Sequence, residues 1–486
     1  MLTVVDSTKY EEYKQELEID ENWQKRDFVT RVESYVNSSV LRVLIVSGLR
    51  GTGKTVGVLQ AIQNKDAVYL LAHKGMNQTS SEEILEELKR RKEKIIVIDE
   101  YTWIAGYNQT YFSESILSLL FLDKRVILTG TESIPLEFLR VTDFIHRAII
   151  VHTNHMSFEE YCRLFNKPMN KRSSEQFLQT GGIFDSYVFS NWETMTNYVK
   201  HAIILNLKSY VNREFNRVTD EELSTILYAL IHKSIWQIIN THFRFNNLND
   251  SAIETLDSIG VSIDTSDVNP KLVELVADVL DKAGILIRIP NLFQREDKLA
   301  GICVKNDYRT YLANPAIAFQ FMKMIYPDET INLGLLFEAN CMVELYYNKR
   351  ESDNLYFVES NGATSFELDA VIVEDDDRVR KKFYLFECKH DYKINVHGKK
   401  WTILSDKIEE AVQTKWIGSE IVAKYVVHPG EASLQYSDNK QCVLVIGVGN
   451  QLRTYYDTEG NREICKKSSE TAIIQSKAIY NNLDTF

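Results

Sequence analysis

The sequence predicts an α/β protein of several domains, and three observations carry that expectation. The chain has 486 residues, more than one ordinary hydrophobic core organises. Residues 41–150 alternate short β-rich runs with helical stretches, the pattern of a parallel sheet covered by helices. Residues 326–486 return to mixed α/β patterning after a mostly helical middle.

The chain start, MLTVVDSTKYEEYKQELEIDENW, is acidic and lacks the apolar centre of a signal peptide. No run of 18 apolar residues occurs, so no membrane span is expected. Cys162, Cys303, Cys341, Cys388, Cys442 and Cys465 lie far apart without a CxxC pair. That spacing argues against zinc or a disulfide framework and for a reducing, cytoplasmic setting. The net charge of −12 is wrong for a protein that coats nucleic acid irrespective of sequence, so any such contact is local.

In the first region the runs LRVLIVSG, AVYLL, KIIVIDE and RVILTG read as strands, and SSEEILEELKRRKE reads as one of the helices between them. GLRGTGKT, Gly48 to Thr55, fits GxxxxGK[ST] and stands between a strand and a helix. Gly48, Gly51 and Gly53 let the loop turn its N–H groups toward phosphate oxygens at a helix N-terminus. Lys54 would reach the β- and γ-phosphates of ATP, and Thr55 would bind Mg²⁺. IIVIDE ends in Asp99 and Glu100 at the carboxyl end of a strand, where ligands of open α/β sheets bind. Asp99 would hold Mg²⁺ through water, and Glu100 would orient and deprotonate the attacking water. In VILTGTES, Thr129 and Thr131 stand at another strand end; two readings stay open, a γ-phosphate sensor or a plain polar strand end. His146, His152 and His155 read as ordinary strand and loop histidines, because no Cys or carboxylate cluster completes a ligand set.

Residues 41 to about 165 resemble the bacterial and archaeal AAA+-like ATPases of the STAND-related group. The landmarks are VSGLRGTGKT, IIVIDE, VILTGTES and HRAIIVHTNHMSFEEY. The resemblance implies an ATPase core over residues 1–155 with N-terminal helices, and a helical lid over 156–215. By position it makes Arg147 the candidate arginine finger or sensor. A salt-bridging Arg147 is the competing reading.

Residues 157–250 look mostly helical, and Ser157 with Glu160 has the spacing of a capping box. NPKLVELVADVLDKAG starts with Pro270 and stops at Gly284, and ILIRIP follows as a strand. Residues 216–325 therefore resemble a winged helix. Its helix carries Lys271 and Lys282 against Glu274, Asp278 and Asp281, a poor surface for phosphates, so a packing module is the favoured reading.

In the last region, SFELDAVIV and KFYLFECKH read as the two strands of a hairpin turning at EDDDRVRK. Centring the pairing on Arg378 sets Asp369 opposite Glu387, about 5 Å apart. Glu387 and Lys389 share a strand face. Paired carboxylates raise each other's pKa, and a divalent cation with hard oxygen ligands, Mg²⁺ or Mn²⁺, removes the conflict. Lys389 would then activate water or stabilise developing phosphate charge. Glu367 shares the face of Asp369; it is a candidate substitute ligand, with pairing to Lys389 the favoured reading. Glu338, on the preceding helix, is a further candidate ligand. Together Glu338, Asp369 and Glu387-x-Lys389 resemble the PD-(D/E)xK nuclease core, with Leu368 where the motif has Pro. That resemblance implies a restriction-endonuclease-like domain over 326–486. From Arg378 to Lys424 there are eleven Lys or Arg against six Asp or Glu, and Lys399, Lys400 and Trp401 suit either a phosphate backbone or a solvated loop.

The expectation is an ATP-hydrolysing protein with a metal-dependent nuclease-like domain, an ATP-gated DNA endonuclease serving defence against foreign DNA. Its expected partners are ATP, DNA and a second copy or another protein, without a membrane. The alternative is an ATPase switch or scaffold whose C-terminal domain only docks DNA or a protein.

Overall fold

The computed structural model describes residues 3–5, 9–20, 23–72, 81–104, 110–130, 144, 146–182, 184, 192–212, 215, 217–236, 269–292, 308–325, 331–350, 352–360, 366–375, 380–390, 410, 412, 418–429, 433–436 and 442–447. They fall into two compact units. The first comprises Met1–Met156, Gly182–Leu230 and Arg244–Leu286; the second comprises Ser157–Gly181, Ile231–Phe243 and Ile287–Phe486.

The first unit opens with strand β1 (Thr3–Val5) and helices α1 (Tyr10–Glu16) and α2 (Asp27–Val36). The expected alternation then follows: β2 (Val43–Ser47), α3 (Lys54–Ile62), β3 (Ala67–Leu71), α4 (Ser81–Arg90), β4 (Ile95–Asp99), α5 (Thr110–Leu120), β5 (Arg125–Gly130) and β6 (Ala148–His152). The sheet order is β1-β3-β4-β5-β2-β6. All neighbours are parallel except β1, which runs antiparallel along β3 at the edge. β2 to β5 are aliphatic because both faces are covered. Val32, Val58 and Leu59 join one core face, and Ile84, Leu88, Phe112 and Ile116 join the other. β5 stands between β2 and β4, so the loop after β2 and the acids after β4 flank the end of β5.

Beyond β6 the chain forms α6 (Phe158–Leu164) and α7 (Lys171–Thr180), both in the second unit. The Ser157 Oγ accepts from the Glu160 N–H at 3.0 Å, as the capping spacing implies. Helix α8 (Trp192–Val199) continues through a π-helical turn, Lys200–Ile204, into α9 (Leu205–Val211). Next come α10 (Asp220–Trp236) and α11 (Pro270–Lys282). Pro270 occupies the first turn of α11, and Gly284, at φ 65°, ends it in the left-handed region.

In the second unit, β7 (Leu286–Pro290) pairs with β8 (Tyr308–Leu312), followed by α12 (Pro315–Ile325) and α13 (Leu333–Asn348). A second sheet contains β9 (Asn354–Ser360), β10 (Phe366–Asp375), β11 (Lys381–Cys388), β12 (Glu420–His428), β13 (Ser433–Tyr436) and β14 (Cys442–Gly447), in the order β13-β14-β12-β11-β10-β9. It is mixed: β9, β10 and β11 form an antiparallel meander, and β11, β12 and β14 are parallel. Leu368, Val371, Val373, Phe383 and Leu385 build the core on one face. Among the described residues no helix is long and apolar enough to cross a membrane.

Candidate functional sites

The loop after β2 is shaped by groups from distant parts of the first unit. Gly53 sits at φ 81°, a conformation that side chains disfavour. At Gly48 a Cβ would lie 2.0 Å from Thr153 Oγ1, so the backbone passes β6 only without one. The Leu49 N–H donates to Asn154 Oδ1 at 2.6 Å, and Asn154 Nδ2 donates to the Ala283 and Gly284 carbonyls beyond α11. Arg26, buried just before α2, donates to the Thr52, Thr153 and His155 carbonyls at 2.7, 3.0 and 2.7 Å. The Phe184 N–H donates to the Gly51 carbonyl and Tyr198 to the Arg50 carbonyl, at 2.8 and 2.9 Å.

Lys54 opens α3, and its Nζ donates to the Gly48 and Leu49 carbonyls at 2.8 Å each. Thr55 Oγ1 donates to Asp99 Oδ2 at 2.9 Å, and the Glu100 N–H donates to Asp99 Oδ1 at 2.9 Å. The loop lysine, the hydroxyl and the two acids therefore meet at the carboxyl end of the sheet. Burial lowers the Lys54 pKa to about 8, against the opposing pull of Glu100 and Asp99. An incoming polyphosphate favours the ammonium and raises that value. ATP binding should therefore take up protons at about pH 8–9, and not through this group at pH 6.5. Calorimetry in buffers of different ionisation enthalpy measures the uptake. Its absence from wild type, or its persistence in Lys54→Ala, would remove Lys54 as the source.

Thr129 continues the register in which Ile98 faces Leu128, and so stands beside Asp99. It is fully buried, and its Oγ1 has no hydrogen-bond partner among the described residues. Thr131 lies outside the described residues. Arg147 immediately precedes β6. Its carbonyl accepts from the Val43 N–H at the start of β2. Five residues of β6, about 16 Å at ~3.3 Å each, separate it from the level of Ser47. Arg147 is thus at the end of the parallel strands opposite the loop after β2 in its own copy.

Residues 41–162 match the family model of the AAA domain. They form a P-loop ATPase core of the AAA type. No curated protein matches the chain. Among solved structures, AMPPCP-bound DnaA from Aquifex aeolicus is similar over 52% of this chain and 86% of its own, at 15% identity and TM-score 0.29. The Hsp104–ADP complex of S. cerevisiae is similar over 58% of this chain and 43% of its own, at 11% identity and TM-score 0.29. The AAA core is the ATP-binding part of the chain.

The second candidate site lies in the other unit. β10 and β11 pair in the register the hairpin reading gives, with Ala370 facing Phe386; Asp369, one residue beyond that paired run, lies near enough to Glu387 to raise its pKa. Pairing of β10 with β9 shifts between Leu368 and Val371, a bulge across Asp369 and Ala370 that re-aims side chains. Asp369 Oδ2 accepts from the Cys388 N–H at 2.6 Å. Lys389 pairs with Glu387, not with Glu367. Glu367 instead pairs with Arg309 of β8, which also lies 3.7 Å from Glu338 and stacks 4.4 Å over the Phe357 ring. Nothing in the local sequence marks Arg309. It stands 58 positions before Glu367, and its role appears only when β8 reaches this sheet.

Four carboxylates thus share two cations. Burial, then Asp369, raises Glu338 well above the usual carboxylate range. Burial raises Asp369 despite Lys389 and the Cys388 N–H, and burial with Asp369 raises Glu387 to about 7. Burial alone would lower Lys389, but Glu387 and Asp369 outweigh it and raise it. Among the described residues no group of three or more His, Cys, Asp or Glu is arranged to hold a metal ion. The expected three-ligand set with Glu338 is therefore not formed. Two neighbouring carboxylates with excess negative charge still fit Mg²⁺, which binds through one or two carboxylates completed by water and substrate phosphate. Lys399, Lys400 and Trp401 lie outside the described residues.

A raised carboxylate binds its proton more tightly folded than unfolded, so it stabilises the fold at low pH and loses that effect as pH rises through the folded value. Wild type should lose thermal stability relative to Glu387→Gln between about pH 5 and pH 8 in EDTA. The groups facing Glu387 are Asp369, Glu367 and Lys389, with Glu338 and Arg309 beyond. Parallel stability curves for the two proteins would refute the burial of that charge.

Proposed function

We propose that the chain hydrolyses ATP with Lys54, Thr55, Asp99 and Glu100, and that its C-terminal unit is a divalent-metal-dependent DNA endonuclease gated by nucleotide state. The observation that carries the second half is the nearness of Asp369 and Glu387 beside the β10–β11 pairing, with Lys389 paired to Glu387. Asp369 and Glu387 would hold Mg²⁺ or Mn²⁺, which when bound supplies Lewis acidity at a phosphodiester. Lys389 holds the attacking water or meets the charge that develops on phosphate. Arg309 offsets part of the negative charge that Glu338 and Glu367 add to the cluster. In the ATPase half, Lys54 leaves its carbonyls for the phosphates, and Glu100 takes the proton of the attacking water. Thr129 stands where a hydroxyl would sense the γ-phosphate, and Arg147 would meet nucleotide only in another copy. A cytoplasmic role in defence against foreign DNA follows from this pairing of activities.

A second reading has its own observation. The described residues hold no group of three metal-ligating side chains, as expected if the C-terminal unit is a docking domain and the ATPase a switch. One experiment separates the two readings. Purified protein is incubated with circular DNA, linear DNA and RNA in Mg²⁺ or Mn²⁺, with ATP, ADP or no nucleotide. The first reading expects metal-dependent cleavage whose rate differs among the nucleotide states. No cleavage under any condition favours the docking reading, and equal rates in all three states refute gating.

A further inference from the structure

Asp99 is 2% exposed, and a carboxylate so buried is costly unless its lone pairs are satisfied. Two of its donors come from the motif residues themselves, the Thr55 hydroxyl and the Glu100 N–H. The third does not. The Tyr69 hydroxyl donates to Asp99 Oδ2 from the neighbouring strand β3. Tyr69 is fully buried in AVYLL, a run otherwise aliphatic, and sits two residues before Leu71, the register partner of Asp99. Its strand is paired on both sides, by β1 and β4. A donor on such an element holds direction better than one on a loop.

A further tyrosine backs it. The Tyr13 ring of α1 packs against the Tyr69 ring, with centroids 5.6 Å apart. A carboxylate only accepts, so the single hydroxyl hydrogen of Tyr69 goes to Asp99. β1 joins the same place, because Val5 pairs with Tyr69. Tyr13 and β1 precede residue 41, where the family match begins.

We propose that Tyr69, backed by Tyr13, is the positioning residue that aims the Asp99 carboxylate at the Mg²⁺ accompanying ATP. The proposal rests on the reading of Asp99 as the group that holds this cation through water. Outer groups of this kind typically change metal affinity about 10- to 100-fold when removed.

The test uses the full chain and Tyr69→Phe, Tyr13→Phe and Asp99→Asn. ATP affinity is measured in EDTA, and Mn²⁺ affinity of the ATP complex by electron paramagnetic resonance. Tyr69→Phe should keep metal-free ATP affinity within about twofold and weaken Mn²⁺ binding about 10- to 100-fold. Tyr13→Phe, which keeps the packed ring, should stay near wild type, and high Mg²⁺ should restore hydrolysis in Tyr69→Phe. Wild-type Mn²⁺ affinity in Tyr69→Phe, with Asp99→Asn impaired, overturns the proposal alone. Wild-type Mn²⁺ affinity in Asp99→Asn removes the reading of Asp99 and the proposal with it. Equal losses with and without the cation in Tyr69→Phe would make Tyr69 a packing residue and also overturn it.

Discussion

Replacing Glu100 by Gln lowers ATP turnover about 10²- to 10⁴-fold and leaves ATP affinity near wild type, the range expected for loss of a positioned general base. Glu100 is held one residue past β4 at φ 54°, a conformation uncommon outside glycine. That turn carries the chain into the short helix Tyr101–Trp103 and keeps the Glu100 carboxylate close enough to Lys54 to oppose the fall in its pKa. Glutamine keeps the shape and loses the basicity. Lys54→Ala is the contrast. It removes the charge the phosphates need, and binding disappears with turnover. Single-turnover kinetics with prebound ATP separate the two. Wild-type turnover in Glu100→Gln would mean that another group activates the water.

If the C-terminal unit is the proposed endonuclease, Asp369→Asn and Lys389→Ala should each lower DNA cleavage by at least about 10²- to 10³-fold, the scale of removing one group that stabilises transition-state charge. Neither changes ATP turnover, because the residues acting on ATP belong to the other unit. The two substitutions differ in metal binding. Asp369→Asn halves the carboxylate pair and abolishes Mn²⁺ uptake by calorimetry. Lys389→Ala keeps both carboxylates, so uptake persists while cleavage is lost. Cleavage retained by either variant would return the cluster to an ion-pair network without chemistry.

What was legible in the sequence divides by range. β2 to β5 were readable because aliphatic runs of that length need cover on both faces, and cover comes from helices between them. The Ser157 cap and the Pro270 and Gly284 boundaries were readable because their chemistry is local. The register of β10 on β11 followed from one symmetric turn. The side of the sheet on which Arg147 lies was not legible, because a residue preceding a parallel strand stands at the strand end opposite the ligand end, however near the motif it lies in the chain. Arg309 and Arg26 failed because each acts on partners that only tertiary folding brings near. Tyr69 left a faint signal, a hydroxyl in an aliphatic buried strand beside the one that ends in Asp99.

The borders of the phosphate loop and the borders of its support differ. Its letters lie within residues 48–55, inside the family match of 41–162. Its backbone is tied by Arg26 ahead of that match, by Phe184 and Tyr198 after it, and through Asn154 to Ala283 and Gly284. An excised 41–162 fragment would keep every letter of the motif and lose those ties. Contacts so far apart in sequence carry a loop-closure cost and form after local structure. The loop that carries the motif therefore depends on chain well outside the stretch that spells it.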